Sequence, residues 1–171
     1  MNIKQTTICL LLRENQILLA MKKRGFGTGK WNGTGGELQP GETSVQSAIR
    51  ETQEEIGITM SNPILVGDFH FKFPKNPEWE QQTSVYICRK WKEEPQETEE
   101  MKPQWFDFNK IPYDQMWPAD IFWIPLVLAG KKLTAEFLFD VDKLIRYNLK
   151  IKVEVDKNCL GPDTSRTVEK K

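Results

Sequence analysis

Apolar residues open the chain in two runs, 5–12 (ending TTICLLL) and 16–21 (QILLAM), with Arg13-Glu14-Asn15 between them. The pattern predicts a hairpin whose strands are buried deeply enough to be central in a sheet. Lys22, Lys23 and Arg24 end it. The segment GFGTGKWNGTGG that follows is too rich in glycine for regular structure and predicts a long loop. Strict alternation returns at 68–73 (DFHFKF), a half-buried strand with Phe69, Phe71 and Phe73 on one face. Residues 74–82 are a polar turn with two prolines, and 83–91 form the returning strand. An acidic connector, EEPQETEE at 93–100, reads mostly as solvated loop. Residues 101–108 form a short strand that Pro103 assigns to an edge or bulge. Pro118 precedes a helix at 119–130, with Ile121, Ile124, Leu126, Val127 and Leu128 as its apolar content and Pro125 disturbing its geometry. Residues 133–140 and 144–155 alternate as strands. From Asp156 the chain is polar and predicts a loose tail. With no internal repeat and no linker, residues 1–155 make one domain and 156–171 a tail. Strands interleaved with two helices give an α/β fold, a mixed β-sheet between helices.

The first helix is the one with chemistry in it. Thr43 and Gln46 have the spacing of a capping box, and Gly57 stands where a helix end favours positive φ. Val45, Ala48, Ile49, Thr52 and Ile56 fall on one stripe. Glu51, Glu54 and Glu55 fall on another part of the wheel. A run of acids is ordinarily a solvated helix face. Here, however, like charges at i, i+4 cost roughly 0.2–0.5 kcal/mol, and acids near a helix C-terminus oppose its dipole. A Gly-rich loop also brings backbone toward the same end. Clustered oxygen ligands are what a hard divalent cation requires, so the cluster is most economically a Mg²⁺ site.

Gly36, Glu42, Arg50-Glu51 and Gln53-Glu54-Glu55-Ile56-Gly57-Ile58 together resemble the Nudix box of nucleoside diphosphate-linked hydrolases. Thr52 departs from it, standing where the family has an aliphatic residue; a modest packing cost is expected, with the hydroxyl free to bond back to a helical carbonyl. MKKRGFGTGKWNGTGGELQPGE before the helix, and the stretch 101–133 after it, resemble the MutT-homologue branch of the family. This likeness spans roughly residues 5–150. It implies the Nudix α/β/α sandwich and Mg²⁺-dependent (alternatively Mn²⁺-dependent) hydrolysis of oxidised purine nucleoside triphosphates, such as 8-oxo-dGTP or 2-hydroxy-dATP. The implied cleavage lies between the α and β phosphates, releasing the monophosphate and pyrophosphate and so sanitising the nucleotide pool.

Position by position, the resemblance makes Glu51, Glu54 and Glu55 metal-binding or catalytic carboxylates, Gly36 a backbone ligand near the metal, Arg50 their orienting cation, and Glu100 a further acid for the metal or for base catalysis. Which glutamate is the base varies in the family and is left open. Asn32, Trp117 and Asp120 match residues that recognise the purine, with Phe71 packing and Thr7 and Lys22 nearby. By itself Trp117 would read as core, Asn32 as a turn residue and Asp120 as a helix start. The branch has two adjacent Asp residues after Trp-Pro and distinguishes oxidised bases by their protonation. This chain has Ala119 and Asp120, which predicts a narrower or altered base preference, the like-charge neighbour that would raise the pKa of Asp120 being lost.

Composition removes other classes. The 24 basic and 24 acidic residues balance, which gives no electrostatic case for a nucleic-acid polymer or a membrane surface. Three cysteines, Cys9, Cys88 and Cys159, without CxxC spacing suit reduced thiols rather than a disulfide framework or zinc site. The N-terminus does not read as a signal peptide, and no apolar run is long enough to span a membrane. A cytoplasmic monomer is expected. A single histidine, His70, argues against Ser/His/Asp or Cys/His hydrolysis. Two rivals remain: a Nudix hydrolase acting on ADP-ribose or a dinucleotide, and an inert nucleotide-binding Nudix module.

Overall fold

A computed structural model describes residues 3–152; the end of the last expected strand (153–155), the tail and Cys159 lie outside them. The expected hairpin is present as β1 (Lys4–Arg13) and β2 (Gln16–Lys22). After it come β3 (Trp31–Asn32), α1 (Ser44–Ile56), β4 (Thr59–Met60), β5 (Ile64–Lys72), β6 (Gln81–Cys88), β7 (Trp91–Lys92), β8 (Met101–Asp107), α2 (Asp120–Leu128), β9 (Lys132–Asp140) and β10 (Lys143–Lys152). Eight strands form one mixed sheet in the order β10-β9-β5-β6-β1-β2-β3, with β8 along the other side of β2. The pairs β1–β6 and β5–β9 are parallel.

Alternation along β1 and β2 separates two cores. Leu10, Leu12, Ile17 and Leu19 join Phe69, Phe137 and the α2 residues Trp123, Ile124 and Val127 on one face. Cys9, Leu11, Leu18 and Ala20 join Ala48 and Ile56 of α1 on the other. The predicted α/β/α layering is therefore present. Helix α2 continues through Pro125. Fully burying side chains such as Trp123, Ile124 and Val127 stabilises by about 1.5–3 kcal/mol each, which outweighs the ~3 kcal/mol cost of an interior proline.

The feature that creates a site is a fork in the hairpin. β1 and β2 pair directly only near the turn, from Arg13↔Gln16 to Leu11↔Leu18. Beyond that they diverge, and residues 31–37 enter between them. Trp31 and Asn32 pair with Met21 and Ala20 of β2, while Thr34 and Glu37 bridge Cys9 and Thr6 of β1. The segment expected to be irregular loop is thus partly strand. Its glycines allow this: a Cβ at Gly33 would lie 2.6 Å from the Cys9 carbonyl oxygen, and one at Gly35 2.0 Å from that of Thr7.

Other expectations need correction. β5 begins at Ile64, before its alternation shows, because a bulge between Leu65 and Gly67 breaks the period. The returning strand ends at Cys88, and Trp91-Lys92 pair instead with Thr59-Met60. On α1, Val45 is exposed and Glu55 is buried, so the buried face is rotated from the apolar stripe. Both caps are as expected. Thr43 and Gln46 exchange their capping-box hydrogen bonds, and Gly57 takes φ 76°.

Candidate active site

Three different environments receive the three glutamates of α1. Glu55 is buried, Glu51 is partly covered, and Glu54 faces solvent. Glu55 Oε2 accepts the backbone N–H of Gly35 at 3.0 Å. Burial pushes its carboxyl up to about 8, aided by the negative charges of Glu51 and Glu100 and opposed by Gly35 and Lys22. Arg50 ties the others together. Its Nε and Nη2 donate to both oxygens of Glu42 at 2.8 and 2.9 Å, and Nη1 donates to Glu51 at 2.6 Å and Glu54 at 3.2 Å. The two-pronged bond to Arg50 holds Glu42 down at about 2. Arg50 thus links Glu51 and Glu54 to Glu42, which takes two of its hydrogen bonds.

Gly36 lies against Glu51: a Cβ there would sit 2.6 Å from the Glu51 carboxylate carbon. The Gly36 carbonyl accepts the Thr7 N–H at 2.9 Å and, at 3.5 Å, the Thr7 hydroxyl, a long bond that a stronger partner could displace. Among the described residues no three acidic, His or Cys side chains stand close enough to close on one ion. The donor set nevertheless suits a hard cation. Glu51 and Glu55 present hard oxygen donors to the loop Gly35-Gly36, which has no side chain in the way, and the negative charges of Glu51 and Glu100 are felt at Glu55.

The basic triplet divides. Lys23 pairs with Glu97 at 2.5 Å and donates to the Thr98 carbonyl at 2.7 Å, and Arg24 pairs with Glu100 at 2.6 Å. Only Lys22 of the three lines the cavity. The acidic connector is therefore fastened down rather than merely solvated. Its Thr98 hydroxyl donates to the Glu55 carbonyl at 2.9 Å, at the end of α1. Glu100 is brought near Glu55, but its carboxylate is held by Arg24.

A cavity of about 240 Å³ opens at the fork, and all six residues assigned to substrate binding line it: Thr7, Lys22, Asn32, Phe71, Trp117 and Asp120. Gly35 and Gly36 line it as well, so it runs from the aromatic end to the glycine loop. Glu51, Glu54, Glu55 and Arg50 are not among its lining, and reach it only through that loop, Gly35 bonding Glu55 and Gly36 lying on Glu51. Asn32 Oδ1 accepts the Gly33 N–H at 2.8 Å, leaving its NH₂ as the group with donors to offer. Asp120 is 3% exposed. Its Oδ1 accepts the Trp123 indole N–H at 2.9 Å, while Oδ2 is buried without a partner. Burial pushes this carboxyl up to about 7, against the hydrogen bond from Trp123 and the charge of Lys30. Loss of the neighbouring acid at Ala119, itself fully buried, thus does not leave an ordinary carboxylate. Desolvation alone raises it.

Sequence reasoning missed several cavity residues. Phe26 stacks on Trp117, with centroids 5.1 Å apart and 27° between planes. Lys30 Nζ sits 5.1 Å from the same ring. Phe73 and Phe139 complete the aromatic wall, and Gln81 lines it from β6. An aromatic flanked by glycines in the glycine-rich loop, Gly25-Phe26-Gly27, was the available signal for Phe26. The others depend on which strands lie side by side.

Comparison with known proteins agrees with this geometry. Residues 3–127 match the NUDIX domain. The chain is 44% identical over 136 residues to an oxidized purine nucleoside triphosphate hydrolase of Danio rerio, covering 80% of this chain and 86% of that one. It is 42% identical over 151 residues to the Mus musculus protein of the same name, covering 88% and 94%. Among solved structures, a MutT protein from Bacillus halodurans superposes with a TM-score of 0.76 at 25% identity, covering 86% of this chain and 97% of that one. With the domain match spanning residues 3–127, these relatives, and the box glutamates held by Arg50 against the glycine loop, the chain belongs to the Nudix family.

Proposed function

We propose that this protein hydrolyses oxidised purine nucleoside triphosphates to the nucleoside monophosphate and pyrophosphate, acting as a monomer on the free nucleotide pool of the cytoplasm. The observation that carries this reading is the continuous cavity with a base-reading end and a phosphate-reading end. At the first, Trp117 and Phe26 offer aromatic faces, and Asn32 and Asp120 Oδ2 offer directional hydrogen bonds. At the second stand Lys22 and the loop Gly35-Gly36, with Glu55 and Glu51 of α1 directly behind that loop.

Glu51, Glu54 and Glu55, with the Gly36 carbonyl and Glu100, are the groups that would hold Mg²⁺ or Mn²⁺. Such an ion, when bound, neutralises phosphate charge and acidifies water. The protein's own part is separate. Arg50 fixes the Glu51 and Glu54 oxygens, Gly35 fixes Glu55, and Lys22 attracts the phosphates. A glutamate with a raised pKa near neutrality is suited to taking the proton of the attacking water. Asp120 offers Oδ2 as an acceptor when ionised and as a donor when neutral. A single such group supports a narrower base preference than a pair would.

Hydrolysis of 8-oxo-dGTP in ¹⁸O-water tests the cleavage position. The account expects 8-oxo-dGMP and pyrophosphate as the products. Release of the diphosphate and inorganic phosphate would contradict it.

A further inference from the structure

In the four-residue stretch Gly33-Thr34-Gly35-Gly36, Thr34 owns the only side chain. The three glycines are pressed against β1 or Glu51, each closely enough that a Cβ would meet another atom at 2.8 Å or less: the Cys9 carbonyl, the Thr7 carbonyl and the Glu51 carboxylate. The one side chain reaches α1 while its Oγ1 also donates to the Cys9 carbonyl of β1 at 3.5 Å. Thr34 Oγ1 shares a hydrogen bond of 2.6 Å with Thr52 Oγ1 of α1, and both residues are buried, at 3% and 0% exposure. Thr34 is itself fixed to β1 by paired backbone hydrogen bonds with Cys9, at 2.6 and 3.0 Å. The Thr52 hydroxyl therefore reaches across to the loop and not, as expected from the sequence, back to its own helix.

Thr52 follows Glu51 directly and precedes Glu55 by one helical turn. The loop residues after Thr34 are the two that touch those same glutamates: Gly35 donates to Glu55, and Gly36 lies on Glu51. We propose that Thr34 and Thr52 are positioning residues, a buried hydroxyl pair that sets the register between the glycine loop and the carboxylate helix. The aliphatic residue expected at position 52 could not make this bond, so here the register rests on a directional contact instead of on packing. The inference builds on the assignment of the α1 carboxylates to a divalent cation.

The test is a Mn²⁺ titration of the metal-free enzyme, followed by EPR, alongside kcat and KM with Mg²⁺ and thermal melts. The variants are Thr34→Val, Thr52→Val, the double variant and Thr52→Ser. Each valine variant keeps the branched shape and breaks the hydroxyl pair: Thr34→Val strands the Thr52 hydroxyl, and Thr52→Val leaves that of Thr34 with only its long bond to the Cys9 carbonyl. Each is expected to weaken Mn²⁺ binding and lower kcat by about 10- to 100-fold, with KM little changed. The double variant, an apolar pair of matched shape, should lie closer to wild type than either single. Thr52→Ser should match wild type. Single variants with wild-type Mn²⁺ affinity and kcat, and only a lowered Tm, would overturn the proposal, since the pair would then be ordinary core. So would a Thr52→Ser enzyme as impaired as Thr52→Val. If the valine variants do not fold, Thr34→Ser and Thr52→Ser decide: retention of affinity supports the role of the hydroxyls, and a tenfold loss in either overturns it. Absence of Mn²⁺ binding by the wild type would instead remove the carboxylate assignment underneath.

Discussion

Asp120 is a carboxyl in a place that disfavours its charge, with one oxygen held by Trp123 and the other facing the cavity unpaired. Its folded pKa of about 7 stands well above the ordinary value of about 3.9 expected when unfolded. A carboxyl raised in this way contributes stability that is fully present below pH ~4 and is lost as pH rises through 7. Three pKa units correspond to about 4 kcal/mol at most. Asp120→Asn carries no such penalty. Its Tm relative to wild type should therefore rise from pH 4.5 to pH 7.5 and level off above, by several degrees in differential scanning calorimetry. Parallel Tm curves would show that Asp120 is not held neutral by burial. In the proposed function this is a trade, with stability given up so that a single directional group is offered to the base.

At the scale of elements, the fork between β1 and β2 and the loop inside it do most to build the site, and their glycines are not equivalent. A Cβ at Gly35 would meet the Thr7 backbone, at φ 141°, whereas one at Gly36 meets the Glu51 side chain. Gly35→Ala should therefore lower Tm sharply, while Gly36→Ala should lower kcat by at least tenfold with a smaller loss of Tm. Similar melting of both, measured beside their kinetics, would contradict this. The helix that carries the carboxylates was legible in the sequence because its two caps and the box all lie within one local stretch, 36–58. The hairpin was legible for the same reason. Strand character at Trp31-Asn32 was not, because only pairing with Met21 and Ala20 gives it, and nothing local distinguishes it from loop. The burial of Glu55 was hidden too, since the loop that covers it comes from twenty residues earlier in the chain.

At the scale of the whole molecule, the two groups of residues proposed for substrate lie on different sides of the sheet. The proposed base readers Trp117 and Asp120 come from the α2 side, the carboxylates proposed for the metal from the α1 side, and residues 31–37 run between them. The six assigned binding residues are far apart in sequence and were found through resemblance to a family, whereas Phe26, Lys30 and Gln81 appeared only when the strands were set side by side. The acid pair expected from that resemblance is reduced to Asp120, and physics at that position then replaces analogy. The most direct measurement is Mg²⁺-dependent turnover of 8-oxo-dGTP, 2-hydroxy-dATP, dGTP, dATP and ADP-ribose by wild type and by Glu54→Gln. The account predicts a marked preference for one oxidised purine triphosphate, with turnover lost in the variant. Turnover of ADP-ribose alone, or equal turnover of both oxidised purines, would contradict the base-reading role assigned to Asn32, Trp117 and Asp120.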